Sequence, residues 1–234
     1  VENQTADDLL VINADDDATE AFARATSARV VAFSLQRPVP FGAFLEGSSI
    51  VWAEDGARTT VCRADRLGVP GRHNLANALA ATAVARAMGV SPDRIEEALA
   101  GFRGLDHAYE IVGDVDGVTY VDDSKATNLA AVRAAIEAAA ETSESIVLIM
   151  GGVDKGNRYD DLLPTLRERV SRAVLLGPHV DRLVTALTGV VPFTRAADMD
   201  EAVAQAAHAA TGGVVLMSPG HASFDLYTNW KERG

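Results

Sequence analysis

The segment YVDDSKATN, residues 120–128, places two carboxylates, a lysine, two hydroxyls and an amide directly after an apolar β-type run. The helical pattern LAAVRAAIEAAA follows, so Lys125 lies where a helix N-terminus already attracts anions. A cation at that position is unfavourable on helix-dipole grounds alone. We therefore predict that a phosphate or carboxylate binds between Lys125 and the helix amides, against the alternative of a solvated turn.

Two further segments have the same character but are weak signals when taken alone. GGVDKG, residues 151–156, follows an apolar run, and SPGHASFD, residues 218–225, follows another. The first could be an ordinary glycine turn with a solvated lysine, and the second a Pro-Gly loop before a helix capped by Ser223. All three segments end strand-like runs, and parallel sheets bind ligands at the carboxyl ends of their strands. The pattern therefore predicts that the three segments converge on one site.

The elements that must position these segments are indicated by the apolar period. After residue 108, apolar strands alternate with amphipathic helices, which predicts a mostly parallel sheet covered on both faces. Before it, short strand-like pieces are followed by two helices. The second of these helices is predicted to begin with Ser91 as its N-cap and Pro92 at its first position. The fold class is α/β, with predicted domains 1–108 and 109–234.

Composition limits the classes of function. The 234 residues are 48% hydrophobic, which suffices for a sizeable core, and their formal net charge is -12. Nucleic acid is not an expected partner, because phosphate backbones are held by clustered Lys and Arg. The single cysteine, Cys62, excludes an internal disulfide and suits a reducing cytosol. With no 18-residue apolar run and no signal peptide, we expect a cytoplasmic protein that does not insert into a membrane.

Five segments, in this order, resemble the Mur ligase family: GRHNLANALAA, GLDHAYEIV, GVTYVDDSKATN, IMGGVDKG and SPGHASFDLYTNWKERG. DSKATN and SP..ASFD...N..ERG are specific to the branch that adds D-glutamate to UDP-N-acetylmuramoyl-L-alanine, a peptidoglycan precursor. The similarity runs from the first residues to Gly234. It implies that residues 1–108 are the last part of an α/β ATPase central domain and that residues 109–234 are most of a Rossmann-like C-terminal domain.

The resemblance also implies a reaction. ATP would phosphorylate the carboxylate of the alanine end, and the amine of D-glutamate would attack the resulting acyl phosphate while phosphate leaves. Catalysis of such a step consists of positioning and charge neutralisation. The implied substrates are small molecules, the enzyme would be monomeric, and Mg²⁺ would be required, with its ligands upstream of this chain.

Two catalytic and three nucleotide-binding residues follow from the resemblance. Lys125 would meet the phosphate region, and His107 matches the family histidine at the interdomain hinge. Asn74 and Asn77, three apart on one helical face, would contact the adenine side of ATP, and Asp123 would hold the ribose. Asn77 could instead be an exposed asparagine without a ligand.

Five more residues would surround D-glutamate by the same resemblance: Thr127, Lys155, Ser223, Phe224 and Trp230. Trp230 stands where the family usually has phenylalanine, and it could equally be a core residue. The resemblance assigns no role to His221.

The sequence departs from the family pattern in two respects. It contains no Walker motif ending in GK[ST], and the carbamylated lysine and the magnesium ligands of the central domain are missing, so we expect this chain to be an incomplete piece of the enzyme. Ala108 also stands where the family usually has an arginine that approaches the nucleotide phosphates. This difference puts full catalytic efficiency in question.

Two other classes of function stay open on the sequence alone. Asp122 and Asp123, with a lysine after a later strand, could indicate a phosphoaccepting receiver domain. That fold needs an aspartate at the end of its third strand, where this chain reads LLGPH. The other alternative is a non-catalytic module that binds a nucleotide or another ligand, which the missing P-loop favours.

Overall fold

The computed structural model describes residues 1–69 and 71–234. The chain divides into two compact units, Val1–Arg103 and Gly104–Gly234. This division lies a few residues before the domain boundary that the sequence predicts at 108. Among the described residues, no helix is long and apolar enough to cross a membrane.

The first unit is a five-stranded sheet with helices packed on it. Its strands are β1 (Leu9–Asn13), β2 (Arg29–Ser34), β3 (Gly42–Glu46), β4 (Ser49–Glu54) and β5 (Ala57–Arg63). Its helices are α1 (Asp17–Ala25), α2 (Arg72–Ala87) and α3 (Pro92–Gly101), with a 3₁₀ turn at Ala64–Arg66. The strands lie in chain order. Strands β1, β2 and β3 are parallel, whereas β4 and β5 continue the sheet antiparallel.

The two long helices of this unit follow their predicted patterns. Helix α2 buries Leu79 and Ala83, four residues apart on the face that meets the sheet. Helix α3 begins as predicted, with Ser91 at the N-cap position and Pro92 at the first turn, although the Ser91 hydroxyl makes no capping hydrogen bond. The Ser-Pro pair therefore indicates where helix α3 begins, but it does not indicate a side-chain hydrogen bond at the cap.

The second unit is built on a six-stranded sheet. Its strands are β6 (Glu110–Val115), β7 (Val118–Asp122), β8 (Ile146–Gly151), β9 (Val170–Leu176), β10 (Phe193–Ala196) and β11 (Gly213–Gly220). Its helices are α4 (Leu129–Ala140), α5 (Leu163–Arg169), α6 (Asp181–Leu187), α7 (Met199–Ala209) and α8 (Trp230–Arg233). The order across the sheet is β10-β9-β8-β11-β7-β6, and all pairs are parallel except β6 with β7.

Both faces of this sheet are covered, as predicted. In β8, Leu148 and Met150 belong to the core cluster that includes α4 and α5, whereas Val147 and Ile149 belong to the cluster that includes α7. Successive side chains of a strand point to opposite faces, so a continuous apolar run fills both clusters at once.

Two strands of the second unit were not predicted. Strand β6 lies at the sheet edge with most of its residues exposed, and β10 has only four residues. Neither gives a strong apolar run. For β6 a usable signal was present, because Asp116 and Gly117 both have positive φ and form the Asp-Gly turn of a hairpin with β7.

Candidate active site

Three polar segments meet at the carboxyl ends of neighbouring strands in the second unit. We call them the DSK segment (residues 122–128) after β7, the lysine loop (residues 151–157) after β8, and the SPG segment (residues 218–223) at the end of β11. Strand β11 lies between β7 and β8 in the sheet. The predicted convergence is therefore confirmed, although the first residues of each segment still belong to its strand: Asp122 to β7, Gly151 to β8, and Ser218 to Gly220 to β11.

Backbone hydrogen bonds continue the sheet into these segments. There are three of them: Asp123 N–H to Met217 O (2.8 Å), Gly220 N–H to Ala126 O (2.9 Å), and Val153 N–H to Ala222 O (2.8 Å). The SPG segment is thus bonded to the segment on each side. These bonds place the polar side chains on a backbone whose position is fixed by the sheet.

A glycine permits the close approach of the lysine loop to the SPG segment. Gly152 has φ +118, and a Cβ there would collide with the carbonyl oxygen of Ala222. An L side chain would fit neither the backbone conformation nor the space. Gly152 therefore permits close packing of the lysine loop on the SPG segment, whereas its neighbour Gly151 packs against Leu176 of β9.

The two adjacent carboxylates of the DSK segment are buried and have different partners. Asp122 is 7% exposed, and its Oδ2 lies 2.6 Å from His107 Nδ1. Asp123 is 8% exposed and accepts hydrogen bonds from the Ser218 hydroxyl at 2.7 Å and from Tyr109 N–H at 3.1 Å. Burial raises the pKa of Asp123 to about 6, although both hydrogen bonds act to lower it. Asp123, predicted to hold a ribose, thus already has a bond on each carboxylate oxygen.

Lys125 is exposed in the loop before helix α4. Its backbone N–H donates to His107 O at 2.9 Å, and its Nζ lies 5.9 Å from the centre of the Trp230 ring. The helix begins after Asn128, whose side chain accepts from Ala131 N–H and occupies the N-cap. The backbone of Lys125 is therefore fixed, and its exposed side chain places the ammonium group over the Trp230 ring.

Lys155 lies at the tip of the lysine loop, inside a turn made by its neighbour. Asp154 Oδ1 accepts from the N–H groups of Gly156 and Asn157, both at 2.8 Å. Asp154 Oδ2 pairs with the Arg182 guanidinium at 2.9 Å. The hydrogen bonds from Gly156 and Asn157 fix the turn that follows Lys155, which is itself exposed.

The remaining residues predicted around D-glutamate differ in exposure. Ser223 is 2% exposed, Thr127 is partly buried and Phe224 is 69% exposed. Trp230, at the start of α8, is partly buried and makes an edge contact with His107, ring centres 5.9 Å apart. Trp230 therefore contacts His107 and Lys125, the two residues predicted to be catalytic.

His107 is the centre of a small polar cluster. Its backbone has φ +61, and its N–H donates to Glu110 Oε2 at 2.8 Å. Within the described residues, His107, Glu110 and Asp122 form the group of metal-ligand type whose ligand atoms all lie within 4.8 Å of one another. Hydrogen bonds within the cluster account for its geometry, because Asp122 bonds the ring and Glu110 bonds the backbone.

Asn74 and Asn77 belong to the first unit, whereas the other eight predicted residues belong to the second. The two asparagines lie one turn apart on α2, and Asn77 Nδ2 is 3.5 Å from Asn74 Oδ1. The predicted common face is therefore present.

One residue that sequence reasoning missed connects several parts of the site. Arg233 is 4% exposed and donates three hydrogen bonds: Nε to Ser124 Oγ (3.0 Å), Nη2 to Ser124 O (2.7 Å), and Nη1 to His221 O (3.1 Å). It thereby ties α8 to the DSK and SPG segments. The signal in the sequence was the ERG of the branch-specific pattern, although an arginine in a polar segment is usually exposed.

Two family models match the chain. The Mur ligase middle domain matches residues 1–85, and the glutamate ligase domain of Mur ligases matches residues 109–221. These ranges lie on either side of the division between the two units.

Curated relatives match over almost the whole chain. A UDP-N-acetylmuramoylalanine–D-glutamate ligase from Acidobacterium capsulatum is 40% identical over 99% of this chain and 50% of its own length. One from Salinibacter ruber is 42% identical over 99% of this chain and 51% of its own length. The chain thus spans about half the length of the relatives it matches.

A solved structure of MurF from Acinetobacter baumannii has the same fold. The two structures superpose with a TM-score of 0.68 at 18% sequence identity. The match covers 91% of this chain and 49% of the MurF chain. At that identity the likeness concerns the fold alone.

Proposed function

Because the chain belongs to the Mur ligase family, we propose that it forms part of an ATP-dependent ligase that adds D-glutamate to UDP-N-acetylmuramoyl-L-alanine. Within that enzyme, the second unit would bind D-glutamate and the first unit would contribute to the ATP site. Relatives at 40% and 42% identity bear the name of this ligase.

One observation supports the proposal most: the DSK segment, the lysine loop and the SPG segment end neighbouring strands. This arrangement brings two exposed lysines and a buried serine to one edge of the sheet. D-Glutamate carries two carboxylates, which suit the Lys155 ammonium group and hydroxyl donors such as Ser223. Thr127, Phe224 and Trp230 would complete the surroundings of this substrate.

Lys125 is the residue proposed to act on the reacting atoms. When the amine of D-glutamate attacks the acyl phosphate, negative charge develops on the carbonyl oxygen and stays on the departing phosphate. An ammonium group held near the start of α4 would stabilise both charges, and preorganised charge of this kind is usually a large contribution to catalysis. His107 would act on Lys125 through its carbonyl, which accepts the Lys125 N–H.

ATP would be held partly by this chain. The amides of Asn74 and Asn77 can donate and accept, as the adenine edge requires, and Asp123 is proposed for the ribose. Because Asp123 is only 8% exposed, a ribose hydroxyl would have to reach it through a small opening. When bound, Mg²⁺ would neutralise the ATP phosphates; we assign it no ligand among the described residues.

A chimera tests this proposal. We would replace the matching half of the Acidobacterium capsulatum relative with this chain and measure phosphate release from ATP with D-glutamate and UDP-N-acetylmuramoyl-L-alanine. We expect release that requires both substrates. Because the 234 residues contain no P-loop sequence, the chain alone should release none.

Two outcomes would count against the proposal. A folded chimera that binds ATP without turnover would favour a non-catalytic module. Robust turnover by the 234-residue chain alone would show that the assignment of the phosphate site is wrong.

A further inference from the structure

A buried chain of three side chains lies beneath the lysine loop. The Tyr159 hydroxyl is 2.9 Å from Asp154 Oδ2 and 2.8 Å from His221 Nε2. His221 Nδ1 is 2.9 Å from the carbonyl oxygen of Pro219. Tyr159 is 7% exposed and His221 is 1% exposed, and both rings bond to neighbouring groups of the chain itself.

The hydrogen positions follow from what each atom can do. A carbonyl oxygen only accepts, so the proton of a neutral His221 ring is on Nδ1. Burial lowers the pKa of His221, which favours this neutral ring. Its Nε2 is then an acceptor, as is Asp154 Oδ2, and the single Tyr159 proton is donated to one of them at a time while the hydroxyl stays within reach of both. Losing the Tyr159 hydroxyl would therefore remove both links of the chain at once.

This chain of side chains connects the segments that carry Lys155 and Ser223, the two polar residues proposed to bind the carboxylates of D-glutamate. At one end, the Asp154 carboxylate fixes the turn around Lys155 by accepting from the N–H groups of Gly156 and Asn157, the two residues that follow it. At the other end, His221 lies two residues before Ser223. A bond from Asn157 Nδ2 to Gly220 O, 3.4 Å long, runs alongside.

We infer that Tyr159 and His221 are positioning residues, which set the separation of Lys155 and Ser223 by holding Asp154 and the SPG segment at fixed distance. This inference rests on the proposed function for its ligand, D-glutamate. It assigns a role to two buried residues, and it accounts for the burial of His221 beside the site.

The test compares Tyr159→Phe with Tyr120→Phe in the ¹⁵N-labelled 234-residue chain. Tyr120 is a matched control, because it is partly buried in the same unit and its hydroxyl bonds no described residue. Amide exchange and the dissociation constant for D-glutamate would be measured by NMR. In Tyr159→Phe we expect the amides of Gly156 and Asn157 to exchange about fivefold faster and D-glutamate to bind about fivefold more weakly, the scale of one net hydrogen bond.

Local change distinguishes positioning from a purely structural role. The amides of Leu148 and Ile149 in β8 should exchange as in the wild type, and the His221 Nε2 resonance should move toward that of an unbonded ring nitrogen. Equal acceleration throughout the sheet, or exchange like that of Tyr120→Phe, would overturn the inference, as would unchanged D-glutamate affinity. A wild-type chain that does not bind D-glutamate would refute the proposed function, while the exchange comparison would still decide whether Tyr159 braces the loop.

Discussion

The two units of the chain bury polar groups very differently. Among the described residues, the buried polar side chains of the first unit are Ser34 and Thr82, and they lie on different elements. Those of the second unit form a group around the ends of β7 and β11 and in α8: Asp122, Asp123, Ser124, Ser218, His221, Ser223 and Arg233. All three lysines of the sequence also belong to the second unit.

This difference indicates which unit buries polar groups for a reason other than the stability of its core. Burying a polar group costs free energy unless hydrogen bonds compensate for it. The first unit has only these two buried polar side chains among its described residues, so its core is largely apolar. In the second unit, the buried polar side chains lie at the edge of the sheet where parallel strands bind ligands. The contrast therefore points to the second unit as the part that handles a charged substrate, and substitutions can test it.

The largest expected effect is the loss of Lys125. In the chimera, Lys125→Ala should lower kcat by on the order of 10² or more with modest changes in KM, because the lost charge acts mainly in the transition state. Lys231→Ala is the matched control, since its Nζ also lies over the Trp230 ring, at 5.6 Å. Steady-state rates and thermal melts would be measured. If Lys125→Ala kept the wild-type kcat, the DSK segment would be an ordinary solvated turn without a catalytic role.

The next effect concerns stability. Arg233→Met should lower the free energy of unfolding of the 234-residue chain by about 2 kcal/mol, because the carbonyls of Ser124 and His221 would lose a buried donor. Arg133→Met, which removes an exposed pair with Glu137, should cost less than about 0.5 kcal/mol. Urea unfolding measures both. Equal losses would mean that the buried group around α8 is not bonded as described.

A third substitution set separates the units by substrate. Lys155→Ala and Ser223→Ala should raise the KM for D-glutamate about tenfold and leave the KM for ATP nearly unchanged, because each removes a polar contact to the amino acid. Asn74→Ala, in the first unit, should do the reverse. Steady-state kinetics of the chimera with each substrate varied would decide. If each variant affected both substrates equally, the proposed division of the site would be wrong.

The smallest effect is a pH dependence from Asp123. Its pKa is about 6 in the folded chain and about 3.9 in an unfolded chain, so the folded state binds more protons between these values. The free energy of unfolding should therefore fall as pH rises through this window, by on the order of 1 kcal/mol relative to Asp123→Asn. Urea unfolding of both proteins between about pH 4 and pH 7 measures the difference. A difference that stays constant, or that rises with pH, would contradict the buried environment of Asp123.

Much of the arrangement followed from the sequence because strong local signals agreed with the fold. Apolar runs in β8 and β11 and the Ser-Pro helix start of α3 are local features, so both strands and helix were predicted. The edge strand β6 was missed because its side chains are mostly exposed, and only the Asp116-Gly117 turn marked it.

The supporting residues of the site could not be predicted in the same way. The contact of Tyr159 with His221 joins residues 62 positions apart, and that of Arg233 with Ser124 joins residues 109 positions apart. No local pattern encodes such a pairing, because each partner is an ordinary residue for its own segment. Exposed residues proposed to contact the substrate, such as Lys125, stood out through an electrostatic anomaly, whereas buried supporting residues create none in the sequence.

A D-glutamate titration of the ¹⁵N-labelled chain tests the central claim most directly. We expect saturable amide shifts confined to the DSK segment, the lysine loop, the SPG segment and residues 224–230 that follow it, with weaker shifts for L-glutamate, which carries the same charges. Saturable shifts in the first unit instead, equal responses to both enantiomers, or no response would contradict the claim that these three strand ends bind the amino acid.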